Sequence, residues 1–330
     1  MEKIYFYAPT ENKKKLLQSN YKDSWEGEHS NFTAWIAQTY FHLKNAGVSC
    51  EITNTIDRQG IVIADRDTLG DNAQFLTNTM LICAKSDREY HPSAHIHVVH
   101  NPQDYQLNYN SVWKPYYIAH WPIPNLIPRN QERKFTVENV AYIGSRSQLA
   151  QELKSQYWIE SLSSLGCKWL PIFEVNQWND YTKLDVIVAA RSFRNNQYIN
   201  KGFIKLLNCW HAGVPGILTP ESSFVAVRKS ELDFLSINSI DEAIAAVRRL
   251  KTDSDFYCQM LNNYQKRKQE VTTEKVLSQW IFFFKNIVTE YYQQWLLIPS
   301  YQKKYLFMQK LLSLKSSRIK QRLHTFSVIK

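Results

Sequence analysis

The chain has 330 residues, 44% of them hydrophobic, which excludes disorder across its bulk and gives length for two domains, each with its own core. Its five cysteines (Cys50, Cys83, Cys167, Cys209, Cys258) are scattered and form no CxxC, which argues against a disulfide framework or structural zinc and for a reducing compartment. The formal charge of +10 is uneven: residues 301–330 hold eight basic residues and no acid, so residues 1–300 carry only +2.

The opening "MEKIYFYAPT" runs from a charged start directly into a strand over 3–9 and lacks the long apolar region of a signal peptide. The longest apolar runs, such as "WIFFF" (280–284), are broken by charge, so no transmembrane helix is expected and the location is read as cytoplasmic. Residues 30–47 have helical spacing and end at a glycine. Short apolar runs at 60–64, 79–84 and 94–99 read as buried strands of a parallel sheet. The stretch "HWPIPNLIPRNQERK" (120–134) has three prolines and then polar residues, as an interdomain connection would. A second α/β set follows, with strands at 139–143, 184–190, 215–219 and 232–237. Its helices are read at 148–164, 201–211, 239–250 and 254–270. Two long helices close the chain at 274–297 and about 300–323. On the second, Tyr305, Met308, Leu312, Ile319 and Leu323 share one face and lysines occupy much of the rest. The expectation is an α/β protein of two domains facing a cleft, with a C-terminal helical extension. Its parts are an N-terminal domain over 1–125, a second over 126–272, and C-terminal helices over 273–330 with the basic tail 301–330.

In open α/β sheets ligands bind beyond the carboxyl ends of strands, so residues immediately after strands carry the functional signal. After 139–143 comes Gly144-Ser145-Arg146; after 184–190 comes Arg191. Lys201 and Lys205 stand at the start of the following helix, with Gly202 between them. After 215–219 come Pro220-Glu221-Ser222-Ser223. Helix N-termini, lysine and arginine suit phosphates, whereas a carboxylate suits ribose hydroxyls. Together they call for a nucleoside diphosphate, with phosphates on the basic side and ribose on Glu221.

The stretch "NKGFIKLLNCWHAGVPGILTPESSF" resembles the nucleotide-sugar signature of GT-B glycosyltransferases, in a bacterial family 1/4-like group with the pattern K-P-x-x-K-L-x-N-A-W-x-A-G-V-P-x-I-L followed by P-E-S. "NVAYIGSR" resembles that group's first strand and loop in the C-terminal domain, and the likeness covers about 139–250. The resemblance implies an α/β fold of the GT-B type: two Rossmann-like domains, a donor nucleotide on the C-terminal one, an acceptor on the N-terminal one, C-terminal helices over 273–330 that cross back to the N-terminal domain, and neither cofactor nor obligatory metal. Lys205 and Glu221 match its donor-binding lysine and glutamate. Gly202 stands where the group has proline, and Gly213 occupies the position eight before Glu221 where retaining members carry a second glutamate.

The N-terminal half should supply acceptor contacts and a general base. "YKDSWEGEHSNF" (21–32) brings Asp23, Glu26, Glu28 and His29 together, and Glu28 or His29 is the expected base, with Glu26 and His100 on the acceptor side. Asp65-x-Asp67 is read as a turn, not a metal motif, and His91, His95 and His97 lack the companions of a zinc set. The basic tail shows no nucleic-acid motif, so an anionic membrane surface is its expected partner, making the protein peripheral at the inner membrane face. The partners are therefore a nucleotide sugar, an acceptor of open identity and a membrane surface. Two alternatives stay open: a GT-B-fold nucleotide-sugar epimerase, and a non-catalytic sugar-nucleotide or membrane-surface binding protein.

Overall fold

A computed structural model describes the protein at residues 2–12, 30–194 and 196–328, with side chains described as far as residue 320. The chain divides into two compact units. The first holds the N-terminal strand, Ser30–Ile118 and the chain from Leu277 onward; the second holds Ala119–Val276.

The first unit is built on six parallel strands: β1 (Ile4–Tyr7), β2 (Cys50–Thr53), β3 (Gly60–Asp65), β4 (Thr79–Ala84), β5 (Ile96–Val99) and β6 (Pro115–Tyr117). They lie in the order β2-β1-β3-β4-β5-β6. The inner strand β4, "TMLICA", is buried at every position, as a parallel strand covered on both faces must be. The helix expected over 30–47 starts with a π-wound stretch, Phe32–Ala37, and continues as α1 (Gln38–Asn45), ending before Gly47 at φ 75°. The short α2 (Arg66–Leu69) and α3 (Pro102–Asn108) complete the unit's N-terminal part.

The second unit carries β7 (Asn139–Ile143), β8 (Lys168–Ile172), β9 (Val186–Ala189), β10 (Gly216–Leu218) and β11 (Leu235–Ser236), all parallel, in the order β11-β10-β9-β7-β8. Its helices are α4 (Gln156–Ser164), α5 (Ile204–Ala212), α6 (Ser222–Val227), α7 (Ile240–Thr252) and α8 (Ser254–Arg267). The chain then runs through α9 (Thr273–Phe282), a π-wound stretch Phe283–Val288, α10 (Thr289–Leu297) and α11 (Ser300–Val328). Two parallel sheets with flanking helices are what the sequence implies.

Some boundaries differ. The helix expected over 148–164 is one 3-10 turn, Glu152–Lys154, followed by α4, whose N-cap Ser155 accepts from Trp158 N at 3.2 Å. The helix expected over 201–211 begins only at Ile204. Lys201 and Gly202 therefore lie in the turn before it, and Lys205 sits in its first turn.

One buried carboxylate organises the second unit. Asp185, fully buried just before β9, accepts six hydrogen bonds. Arg129 supplies two, at 3.2 and 2.8 Å, and Arg133 two, at 2.8 and 2.7 Å. The other two come from the backbone N–H groups of Glu138 (3.0 Å) and Asn139 (2.9 Å) at the start of β7. Both arginines come from the proline-containing stretch 120–134, which is further tied to the second unit by Ile127 N to Asn179 O at 2.8 Å. Burial alone would raise the pKa of Asp185. The Arg133 bonds, the two amides and Arg129 outweigh it and hold the group below its ordinary value.

Removing such a carboxylate strands the buried Arg129 guanidinium, the half-buried Arg133 guanidinium and two N–H groups. Asp185→Ala should cost about 3–5 kcal/mol in urea unfolding, the usual toll for breaking a buried ion pair. The folded-state pKa lies below the unfolded one, so the stabilisation from Asp185 is present above the unfolded pKa and is lost as pH falls through the folded one. The gap between wild type and variant should therefore narrow as pH falls below the unfolded value of about 3.9.

Candidate functional site

In the second sheet β7 is flanked by β8 on one side and β9 on the other, so the chain's direction of travel across the sheet reverses between β7 and β9. Such a reversal leaves a crevice at the carboxyl ends of the two strands, the usual ligand position in open α/β sheets. The pairing of β7 with β9 runs through Val140↔Val186 and Ala141↔Ile187 only, so the strand ends beyond these pairs are free to part.

The sequence-predicted residues meet there. Gly144 follows β7, Arg191 follows β9, and Glu221 follows β10. Lys205 reaches back to β7: its Nζ donates to Ile143 O and lies 4.5 Å from the centre of the Tyr142 ring. A Cβ on Gly144 would stand 2.6 Å from that Nζ and 2.9 Å from the Tyr142 hydroxyl, at φ 145°, so only glycine fits. Arg191 donates to Glu221 Oε2 and, through Nε, to Gln148 Oε1 at 2.9 Å, which ties the loop after β7 to the loop after β9.

Burial sets the electrostatics. Surrounded by protein and beside the Arg191 charge, Lys205 is pushed down to about 7, with Glu221 pulling the other way. Glu221, nearly inaccessible at 2% exposure, is raised by burial against the opposing pull of Arg191. The hydroxyls of Thr219 and Ser223 on either side of Glu221 are buried and have no hydrogen-bond partner among the described residues. Glu221, Thr219 and Tyr198 also line one small depression with Ser192, Asn196 and Asn238. The site thus offers a titratable cation, a partly neutralised carboxylate and two unused hydroxyls.

The remaining predicted residues are placed around this centre. Ser145 accepts from the Tyr142 hydroxyl through its backbone carbonyl at 3.0 Å. Arg146 is exposed, its guanidinium 4.3 Å from the centre of the Phe173 ring. Lys201 is half-buried, and its backbone N–H bonds Tyr198 O at 2.8 Å. Glu221 is the N-cap of α6, and Ser222 and Ser223 open that helix, both buried. Tyr142, Gln148, Tyr198 and Thr219 were not singled out by the sequence. Tyr142 lay inside the "NVAYIGSR" stretch, but its role under Lys205 depends on which strand lies next to α5.

Glu26, Glu28 and His29 lie outside the described residues. His100 follows β5, buried, edge-on to Trp35 at 5.5 Å and with Nε2 3.4 Å from Asp87 Oδ1. Asp65 caps α2, accepting from the N–H groups of Asp67 (3.1 Å) and Thr68 (3.0 Å). His97 is a core residue: Nδ1 pairs with Trp113 O at 2.7 Å and Nε2 accepts from His91 N at 3.0 Å. His95 Nδ1 accepts from Leu81 N at 3.0 Å. Burial, then the nearby Lys310 charge, holds both rings far below the ordinary histidine range, so they stay neutral. Among the described residues no three His, Cys, Asp or Glu side chains are grouped to hold a metal ion.

No family model and no curated protein matches the chain. Solved structures do. The sucrose-phosphate synthase (tll1590) from Thermosynechococcus elongatus superposes with a TM-score of 0.57 at 11% identity, over 88% of this chain and 100% of that one. Anabaena Alr3699/HepE in complex with UDP and glucose gives 0.54 at 10% identity, over 86% and 99%. The fold is of the GT-B type. The HepE structure with UDP-glucose gives 0.51 at 10% identity, over 84% of this chain and 98% of that one. At such identities the likeness is one of fold.

The depressed pKa of Lys205 has a consequence for stability. Its folded value near 7 lies below the unfolded value of about 10.4, so the unfolded state binds more protons between them and stability rises with pH across that window. Lys205→Met should be more stable than wild type at pH ~6, and the advantage should shrink by pH ~10 in parallel urea titrations.

Proposed function

We propose that this protein is a glycosyltransferase that takes a sugar from a nucleoside-diphosphate sugar, with the donor held at the β7/β9 crevice of the second unit. The observation that carries this reading is the meeting of Lys205, Arg191 and Glu221, from three different chain segments, at the one place where the sheet reverses. The diphosphate pairs with Lys205 and Arg191, with Lys201 and Arg146 adding charge at the approach. The ribose hydroxyls donate to Glu221, and Thr219 and Ser223 supply further polar contacts.

The chemistry follows from charge. Transfer breaks the bond between the sugar's anomeric carbon and the diphosphate oxygen, so negative charge grows on the leaving phosphate. A preorganised cation there lowers the barrier. Lys205, poised near neutrality in the free protein, becomes fully charged when the diphosphate arrives, so its electrostatic contribution is largest with donor bound. Arg191 moves from a carboxylate it already holds to one shared with the ribose and phosphates. With these cations the reaction is proposed to run without a metal. Glu28 or His29 is proposed as the base that takes the acceptor's hydroxyl proton, with Glu26 and His100 on the acceptor side.

The HepE structures described with UDP, glucose and UDP-glucose make UDP the first nucleotide to try. Binding to the folded state raises the melting temperature by mass action, equivalent to about 2.7 kcal/mol at a hundredfold excess over Kd. Among nucleoside diphosphates and their sugar conjugates, one should raise the melting temperature of wild type and leave Lys205→Ala and Glu221→Ala unmoved. No shift with any nucleotide would count against the donor site.

Turnover separates transfer from its alternatives. Glu28→Ala or His29→Ala should lower turnover by about a hundredfold or more with donor binding retained, the usual size of a general-base effect. A sugar product that stays linked to its nucleotide would overturn transfer in favour of epimerisation.

A further inference from the structure

α11 buries Lys310 on a mixed inward face, which also holds Phe307, Leu311 and Leu314, and turns an apolar stripe outward. Tyr301, Tyr305, Met308, Leu312 and Ile319 recur at helical spacing along one stripe and are 46–71% exposed. Just before it, at the end of α10, Leu297 is 84% exposed. The opposite face carries Lys303, Phe307, Lys310 and Arg318. Lys310 is only 6% exposed, and Arg318 pairs with Glu89. A water-facing helix shows the reverse arrangement. An apolar stripe of this length on a surface marks a place where something other than water lies.

Beneath the inward face is a cavity of about 260 Å³, set between α10, α11 and the residues that lead into β4, β5 and β6. It therefore lies at the opposite end of the first sheet from the strands' carboxyl ends. Its walls are apolar, formed by Phe75, Trp295, Leu306 and Phe307 among others. Three lysines line it, Lys114, Lys303 and Lys310, and no carboxylate among the described residues does. Lys303 lies over the Trp295 ring at 3.7 Å. Lys310 Nζ donates to Ala94 O at 2.5 Å, and no carboxylate among the described residues forms an ion pair with it. An ammonium has three donors, and a buried one without a counter-ion is costly. Burial, then the Lys114 charge, pushes Lys310 down to about 7.

We propose that this cavity receives the phosphate head of a membrane phospholipid while the outward stripe of α11 lies in the bilayer interface. The lysines neutralise the phosphate. The apolar walls take the first carbons of the lipid, and a cavity of this size leaves the chains outside it. No described helix is long and apolar enough to cross a membrane, so α11 lies on the surface. Exposed Lys304, Lys315 and Lys320 flank the stripe, which favours an anionic surface over a second, equally basic copy of the chain. The proposal is independent of the donor site in the second unit.

The test uses the full chain in flotation with vesicles of phosphatidylcholine alone or mixed with phosphatidic acid. Binding should require phosphatidic acid, fall about fivefold or more in Lys310→Met and Lys114→Glu, and be lost in Leu312→Glu. Lys114 and Leu312 are exposed, so those variants keep the fold even if Lys310→Met does not. Monomeric short-chain phosphatidic acid should raise the melting temperature of wild type but not of Lys114→Glu, and inorganic phosphate at the same concentration should raise neither. Equal binding to both vesicle types, or binding unchanged in the lysine variants, would overturn the proposal. An equal response to inorganic phosphate would make the cavity a site for a soluble anion. A dimer in sedimentation that Leu312→Glu dissociates would make the stripe a self-interface.

Discussion

The second unit depends on Asp185. It stands immediately before β9, yet it bonds the first amides of β7, so one carboxylate sets the relative height of the two strands between which the sheet reverses. The same carboxylate collects Arg129 and Arg133 and so fastens the proline-containing stretch to the base of the sheet. Isolated, a buried carboxylate is costly. With six donors it is fully satisfied, and its depressed pKa is the signature of that satisfaction. Held together at this end, β7 and β9 pair over only two residues, and their far ends bound the crevice where Lys205, Arg191 and Glu221 meet.

The two ends of this sheet solve opposite electrostatic problems. At the Asp185 end, charges are matched within the protein and nothing remains to be bound. At the crevice they are close but incompletely matched: Lys205 leans on a carbonyl and an aromatic face, and Glu221 shares its carboxylate with Arg191. The shifts of Lys205 downward and Glu221 upward both record burial that the local partners do not fully offset. Buried groups shifted by a specific charge partner in a crevice are the pattern that active sites build. Lys310 repeats the theme in the first unit, as a buried ammonium with a single carbonyl for company.

Much of the fold was legible in the sequence because inner parallel strands are buried on both faces and read as unbroken apolar runs, as in "TMLICA" and "LDVIVAA". The strands that escaped notice, β2, β6 and β8, are all sheet edges. Two of them carry proline, Pro115 and Pro171, which reads as a strand breaker yet is harmless where one side of the ladder has no partner. At the site, Lys205 and Glu221 were legible from a local pattern, whereas the Arg191–Glu221 pair, the Tyr142 ring under Lys205 and the Gln148 tether depend on strand order. The periodicity of α11 marked the stripe of Tyr305, Met308, Leu312 and Ile319 but could not say which face turns inward; burying Lys310 and exposing Leu312 goes against the usual preference.

The central claim is that the β7/β9 crevice holds a nucleoside diphosphate. A crystal structure of the protein with UDP tests it most directly. The account predicts the diphosphate against Lys205 Nζ and the Arg191 guanidinium, with the ribose hydroxyls on Glu221. UDP bound elsewhere, or in the crevice with its phosphates turned away from Lys205, would contradict it.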